Sequence, residues 1–217
     1  MSGMHKHPIL LAVLLFSLCS APQALSQTFR YQAYLAGTKA GTAIVHVEIS
    51  DKTYHLSGSA KAQGILKWFG KWRSRFEVKG RIEGDELFLD EYRYVEREER
   101  KRRELSVRDG VLRVVKNGKP RRPRKALPGT DILTGLFVNP RCHDEQLLHT
   151  GRHNYQLRRL DSPNETTGTS RCRYEIHDDD GDRYVASVEF AQLGDLTVPV
   201  KMTFGGFIRG RMELVEP

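Results

Sequence analysis

The sequence predicts an all-β domain, a strongly curved antiparallel sheet or partly open β-barrel of about ten strands with two short helices. Three observations predict it. Apolar and polar residues alternate at a period near two through most of the chain. Turn dipeptides that tolerate positive φ punctuate the runs, at Asp109-Gly110, Asn117-Gly118 and Asp180-Gly181. Helical spacing is confined to two segments, Ile65–Ser74 and Gly129–Pro140.

Taken in order, the first runs are Thr28–Gly37, Thr42–Ser50 and Asp51–Gly64, separated by glycines and by Asp51-Lys52. Within the second, Ile44, Val47 and Ile49 mix with polar neighbours, an alternation with one slip. The segment Ile65–Ser74 then places Ile65, Trp68, Phe69 and Trp72 at i, i+3, i+4, i+7, a short helical face that Gly70 weakens. Strand patterns resume over Ser74–Gly84, Asp85–Arg97, Arg103–Gly110 and Val111–Lys119. The second helical segment has Thr130 or Asp131 as a cap, apolar Ile132, Leu133, Leu136 and Phe137, and Pro140 as a stop. After a break come His153–Asp161, Ser170–Gln192, Leu196–Phe204 and Phe207–Glu216. Both helices are expected near the opening of the barrel or over one sheet face.

Export is the second expectation. Lys6 precedes an apolar core from Ile9 to about Leu18, and Ala24-Leu25-Ser26 offers small side chains ahead of a cut before Gln27. That core is about ten residues, too short for a bilayer that needs about twenty. Residues 1–26 therefore read as a signal peptide and 27–217 as one antiparallel β domain, placed in the periplasm. An uncleaved anchor is the alternative, and so is a lipoprotein on Cys19, although Leu18 precedes it where a small residue is usual. No later stretch is long and apolar enough to cross a membrane as a helix. Cys142 and Cys172 are the two cysteines of the mature chain, and in an oxidising compartment an even pair reads most simply as one disulfide. His143, His149, His153 and His177 fall at no zinc-ligand spacing, so no metal site is expected.

From Arg93 to Lys125 the chain carries fourteen Lys+Arg against five Asp+Glu. Leu105, Val107, Val111, Leu112, Val114 and Val115 are interleaved with those charges on both sides of the Asp109-Gly110 turn, the pattern of a two-stranded ribbon with one wet face. A solvated ribbon followed by a basic, proline-rich loop is the plain reading. The functional alternative is contact with anionic lipid headgroups or envelope polymers, through Arg100, Arg102, Arg103, Arg121, Arg122 and Arg124. Nucleic acid is not expected as a partner: an exported protein meets little of it, and after Tyr94 the run offers no aromatic platform for stacking.

Fingerprints of catalysis are missing. The chain has no G-x-S-x-G, no H-E-x-x-H, no P-loop and no dinucleotide-binding glycine motif, so neither enzymatic activity nor a cofactor is expected. The acidic stretch Asp178–Asp182 lacks the ligand spacing of a calcium loop and reads as a charged hairpin tip.

Several features together resemble an exported bacterial family known as domain of unknown function 3108. They are the early glycine turn after a Tyr-rich strand, the Asp131-Ile132-Leu133-Thr134 helix start, the cysteine pair flanking a Tyr-containing strand, and the closing Val198-Pro199-Val200 strand. Thr150-Gly151 stands where members of that family often show Asp-Gly. The resemblance spans nearly the whole mature chain. It implies a periplasmic antiparallel β domain and carries over no catalytic residue. The functional expectation is a non-enzymatic protein binding an amphipathic or anionic envelope ligand. Trp68, Phe69 and Trp72 would supply the apolar contact, unless they are plain core. The alternatives are an adaptor pairing with another envelope protein and, weakest, an envelope hydrolase.

Overall fold

The computed structural model describes residues 24–64, 71–162, 164–166, 168–205 and 209–217, with side chains left aside for 163–167. Its architecture is one large, mostly antiparallel sheet that is not closed, followed here along the chain. Strands β1 (Leu25–Leu35), β2 (Thr38–Ile49), β3 (Thr53–Ala62), β4 (Arg73–Glu83), β5 (Glu86–Glu98), β6 (Lys101–Arg108) and β7 (Val111–Lys116) form a meander, each pairing with the next. The short β8 (Lys119–Pro120) and β9 (Arg124–Lys125) cover opposite ends of β7. The chain then crosses to β10 (Thr130–Asp131) and helix α1 (Ile132–Phe137).

The second half runs through β11 (Glu145–His149), β12 (Asn154–Arg159), β13 (Asn164–Thr166), β14 (Thr169–Asp178), β15 (Arg183–Leu193), β16 (Leu196–Phe204) and β17 (Gly210–Glu216). β12 and β13 share one side of β14, and from β14 the meander continues to β17. β17 pairs with β1, fusing the halves into a single sheet whose one parallel contact among the described residues is β10 with β11. Register shifts at Ala33/Tyr34, Lys79/Gly80 and Glu189/Phe190 bend it.

Alternation decides which side of the sheet is inside. Phe29, Tyr31, Val45, Val47, Leu56, Val78, Tyr92, Leu105, Val107 and Leu112 form one buried cluster with Phe137 of α1. Leu148, Leu157, Cys172, Tyr174, Ile176 and Val188 form a second. Burying each such side chain contributes about 1.5–3 kcal/mol. Leu136 of α1 packs against both clusters, so the helix fills the hollow where the sheet curls. At Gly80 the bend needs a glycine, because a Cβ would sit 2.2 Å from the Tyr54 ring.

The expected turns and ribbon are present. Asp109-Gly110 and Asn117-Gly118 all adopt positive φ, and Leu105, Val107 and Leu112 face inward. Three expectations need correction. Among the described residues seventeen strands replace about ten, chiefly because β8, β9, β10 and β13 are too short to show a period. β11 lay in what reads as a break. The expected helix Ile65–Ser74 does not extend to its end: Arg73 and Ser74 open β4, where alternation with buried Ser74 and Val78 wins over the helical spacing, and Ile65–Gly70 lie outside the described residues. Among the described residues α1 is the one helix, and β1 begins at Leu25, two residues before the expected cut.

Candidate functional site: a cationic face on the outside of the sheet

Four strands bring the site together. On β3, β4 and β5 the even-numbered positions, with Tyr54, Val78 and Tyr92, point into the core, and on β6 the odd-numbered Leu105 and Val107 do, so Lys61, Arg73, Arg97 and Arg102 emerge on the outer face. Register sets them directly opposite one another: Lys61 faces Arg73, Arg73 faces Arg97, and Arg97 faces Arg102. At a strand spacing of about 4.8 Å the row spans roughly 14 Å. Arg75 and Arg93 stand beside it, and all six lie along one concavity of ≈ 710 Å³ with a single carboxylate, Glu77, in its lining. All six are exposed. Among the described residues, Arg102 alone of the six has a carboxylate within 4 Å, Glu104 at 2.7 Å.

The other end of the same face is built differently. There Thr28, His46, Glu48, His55, Glu77 and Lys79 form a continuous hydrogen-bonded chain across β1–β4. Glu48 receives His46 at 3.0 Å and His55 at 3.1 Å, and His55 reaches Glu77 at 3.2 Å. Hydrogen bonds from His55 and His46 hold the Glu48 carboxyl below its ordinary range, and Lys79, then His55, do the same for Glu77.

Inside, a small polar knot supports α1. Asp131 is 1% exposed and caps the helix, accepting from the Leu133 and Thr134 amides at 3.1 and 3.0 Å and from the Thr134 hydroxyl. Burial raises its carboxyl above the usual range, against the pull of those hydrogen bonds. His149, opposite Asp131 in the parallel pair, accepts from the Gly151 amide through Nδ1, which leaves Nε2 as the protonated nitrogen of a neutral ring. Burial pushes its pKa down. Tyr92 packs edge-on against His149 and donates to the Thr150 carbonyl at 2.9 Å. Gly151, at φ +74°, is required because a Cβ would come within 2.9 Å of the Tyr92 ring. Tyr54, its hydroxyl pushed up to about 12 by burial, completes the knot beside Thr134. These groups are spent on one another and on backbone, and their effect is to fasten α1 and β10 to β3 and β5.

The residues expected from the sequence disperse. Trp68 and Phe69 lie outside the described residues. Trp72 is half-buried and gives its indole N–H to Glu96, whose other oxygen pairs with Arg103 at 3.4 Å, so Trp72 and Arg103 are turned onto Glu96 rather than onto the outer face. Arg100 is exposed in the β5–β6 turn, and Arg121, Arg122 and Arg124 are exposed beside the β7 edge. Only Arg102 joins the row. Lys61, Arg73, Arg75, Arg93 and Arg97 were missed, and period-two placement on successive strands was the signal that could have found them. Cys142 and Cys172 are at bonding distance with Cα atoms 5.5 Å apart. At the Asp178–Asp182 tip, Asp178 accepts from the amides of Asp180 and Asp182, the hydrogen bonding of a tight turn. His153 leans on Asp179 at 2.9 Å. Among the described residues no helix is long and apolar enough to cross a membrane.

No curated protein matches the chain. It is similar to a beta-barrel-like protein, domain of unknown function DUF1849, from Brucella abortus, at 11% identity over 90% of this chain and 98% of that one, with a TM-score of 0.46. The profile of the family described as Protein of unknown function (DUF3108) matches residues 30–129, which hold the latter part of β1, all of β2–β9 and the cationic row. The Asp131 cap, the cysteine pair and the Val198-Pro199-Val200 strand fall beyond that match. The likeness to the DUF3108 family is thus a match over residues 30–129, the first half of the sheet.

Proposed function

We propose that this is an exported, non-enzymatic protein of the periplasm that binds an anionic envelope ligand, lipid headgroups or a phosphate-bearing polymer, on the outer face of β3–β6. One observation carries the reading: Lys61, Arg73, Arg97 and Arg102 oppose one another in register. Like charges directly across a strand pair destabilise a sheet. Edge protection does not account for them, because β3–β6 are interior strands, flanked by β2 and β7. An anion laid along the row removes the repulsion. The cysteine pair supports an oxidising compartment. The adaptor reading has less behind it, since the β7 edge is covered by two-residue strands with Pro120 and Pro123 in and between them.

The test is cosedimentation of the mature protein with phosphatidylglycerol vesicles, against phosphatidylcholine vesicles and against a soluble polyphosphate. Binding to an anionic partner should fall with salt. The double change Arg73→Ala and Arg97→Ala should weaken it roughly thirtyfold, at about 1 kcal/mol for each basic residue near an anionic surface. Binding indifferent to both salt and these substitutions sinks the reading.

A further inference from the structure

A second concavity lies across β2 from the first, over β14–β17 and the end of β1, with a volume of ≈ 410 Å³. Pockets of about 300–1,000 Å³ are the size that enclose small ligands. Its lining joins two chemistries. Tyr34, Val185 and Phe204 offer apolar surface, and Val185 and Phe204 are 37% and 39% exposed, among the most exposed large apolar side chains of the protein. Four arginines, Arg171, Arg173, Arg209 and Arg211, surround them.

The arginines are only loosely neutralised. Arg171 and Arg173 reach Glu189 and Asp161 at 3.6 and 3.9 Å, with half or more of each guanidinium side chain open to solvent. Arg211 lies over the Tyr34 ring at 4.5 Å and meets Glu213 at 3.2 Å. Arg209 has no carboxylate within 4 Å among the described residues. Between the two chemistries sits a hydroxyl pair, Ser187 Oγ and Thr203 Oγ1, 2.7 Å apart, with Ser187 only 7% exposed. Two hydroxyls in mutual contact use one of their protons on each other. The second proton has no partner among the described residues and remains to donate.

We infer that this concavity is a binding site for a single-chain anionic amphiphile, its carboxylate or phosphate held by Arg209, Arg173 and the free hydroxyl proton, its apolar body against Tyr34, Val185 and Phe204. The site shares no residue with the β3–β6 row and does not depend on it. An isolated apolar patch would explain Val185 and Phe204 alone, and a solvated face would explain the arginines alone. Their convergence on a recess with a spare donor fits one ligand that is charged at one end.

Isothermal titration of the mature protein with decanoate, below its aggregation threshold, tests this. Saturable binding at one site is expected. Decyltrimethylammonium should not bind, and inorganic phosphate should bind far more weakly. Arg209→Glu should weaken decanoate about tenfold or more, the loss of one charge-assisted contact, and Phe204→Ala should weaken it by a similar factor. Both positions are exposed, so unchanged thermal midpoints check that the variants fold. The Arg73→Ala, Arg97→Ala double variant should bind decanoate as the wild type does, which separates the failure of one site from the failure of the other. Absence of saturable binding overturns the assignment, as do equal binding of the cationic amphiphile and decanoate binding untouched by both substitutions.

Discussion

The polar knot under α1 and the cationic row on β3–β6 use charge in opposite ways. In the knot, Asp131, Thr134, His149 and Tyr92 are shut from water, and each has its partner within the protein. In the row, the charged groups are open to water, and five of the six lack a carboxylate within 4 Å among the described residues. A buried polar group left unpaired costs about 1–3 kcal/mol, so folding enforces complete pairing there. At the surface nothing enforces it, and an uncompensated row survives only at a small cost in stability. Completeness marks the group that serves the fold. The row keeps charge that the fold itself does not use.

Substitutions can break that contrast or sharpen it. The largest effect is expected at Phe137, which stacks against Phe29 and meets Tyr31 edge-on beneath the sheet. Phe137→Ala should lose about 3–5 kcal/mol in urea unfolding. Next, Asp131→Ala removes the helix cap and strands the Thr134 hydroxyl and amide, at about 3 kcal/mol. The row should behave in the reverse sense. Arg73→Ala with Arg97→Ala should leave stability unchanged or raise it by under about 1 kcal/mol, while abolishing most anion binding. A loss of stability comparable to that of Asp131→Ala would erase the distinction between the two regions.

pH sharpens it further. The Asp131 carboxyl is raised by burial, so its protonation favours the folded state. That stabilisation is present below the ordinary carboxylate range and is lost as pH rises through the folded value. The stability of the wild type relative to Asp131→Asn should therefore rise as pH falls. Glu48 is lowered by hydrogen bonds from His55 and His46, so its contribution is present above the ordinary range and lost as pH falls through the folded value. The deficit of Glu48→Gln should shrink over the same acid range. Denaturant midpoints measured from neutral to acid pH for the three proteins check both slopes. The smallest effect concerns Tyr31, whose hydroxyl is buried without a partner among the described residues. Tyr31→Phe should be neutral or stabilising by about 1 kcal/mol.

Much of the scaffold was legible because its signals are local. Asp109-Gly110 and Asn117-Gly118 set their own turns, Asp131 caps the helix it precedes, and alternation places Val47, Leu105 and Val107 inside, whereas Ile44, read with Val47, faces out at the slip in the pattern. The candidate site was not local. Lys61, Arg73, Arg97 and Arg102 are scattered over three hairpins and meet only through register, which sequence pattern constrains weakly. Linear density of charge drew attention instead to Arg121, Arg122 and Arg124, which the fold leaves beside the β7 edge. The knot was hidden for a related reason: His149 and Asp131 are joined by a parallel pair of two residues, too short to leave a pattern.

One pairing bears on how the molecule is made. β1, the first of the described strands, is hydrogen-bonded on one side to β2 and on the other to β17, the last of them. Until β17 has been made, half of β1 has an exposed flank in the middle of the future sheet. Contacts of such long sequence separation slow folding and prolong the aggregation-prone interval. A polypeptide lacking Gly210–Glu216 would keep its hairpins yet carry raw flanks on β1 and β16, which β17 otherwise covers.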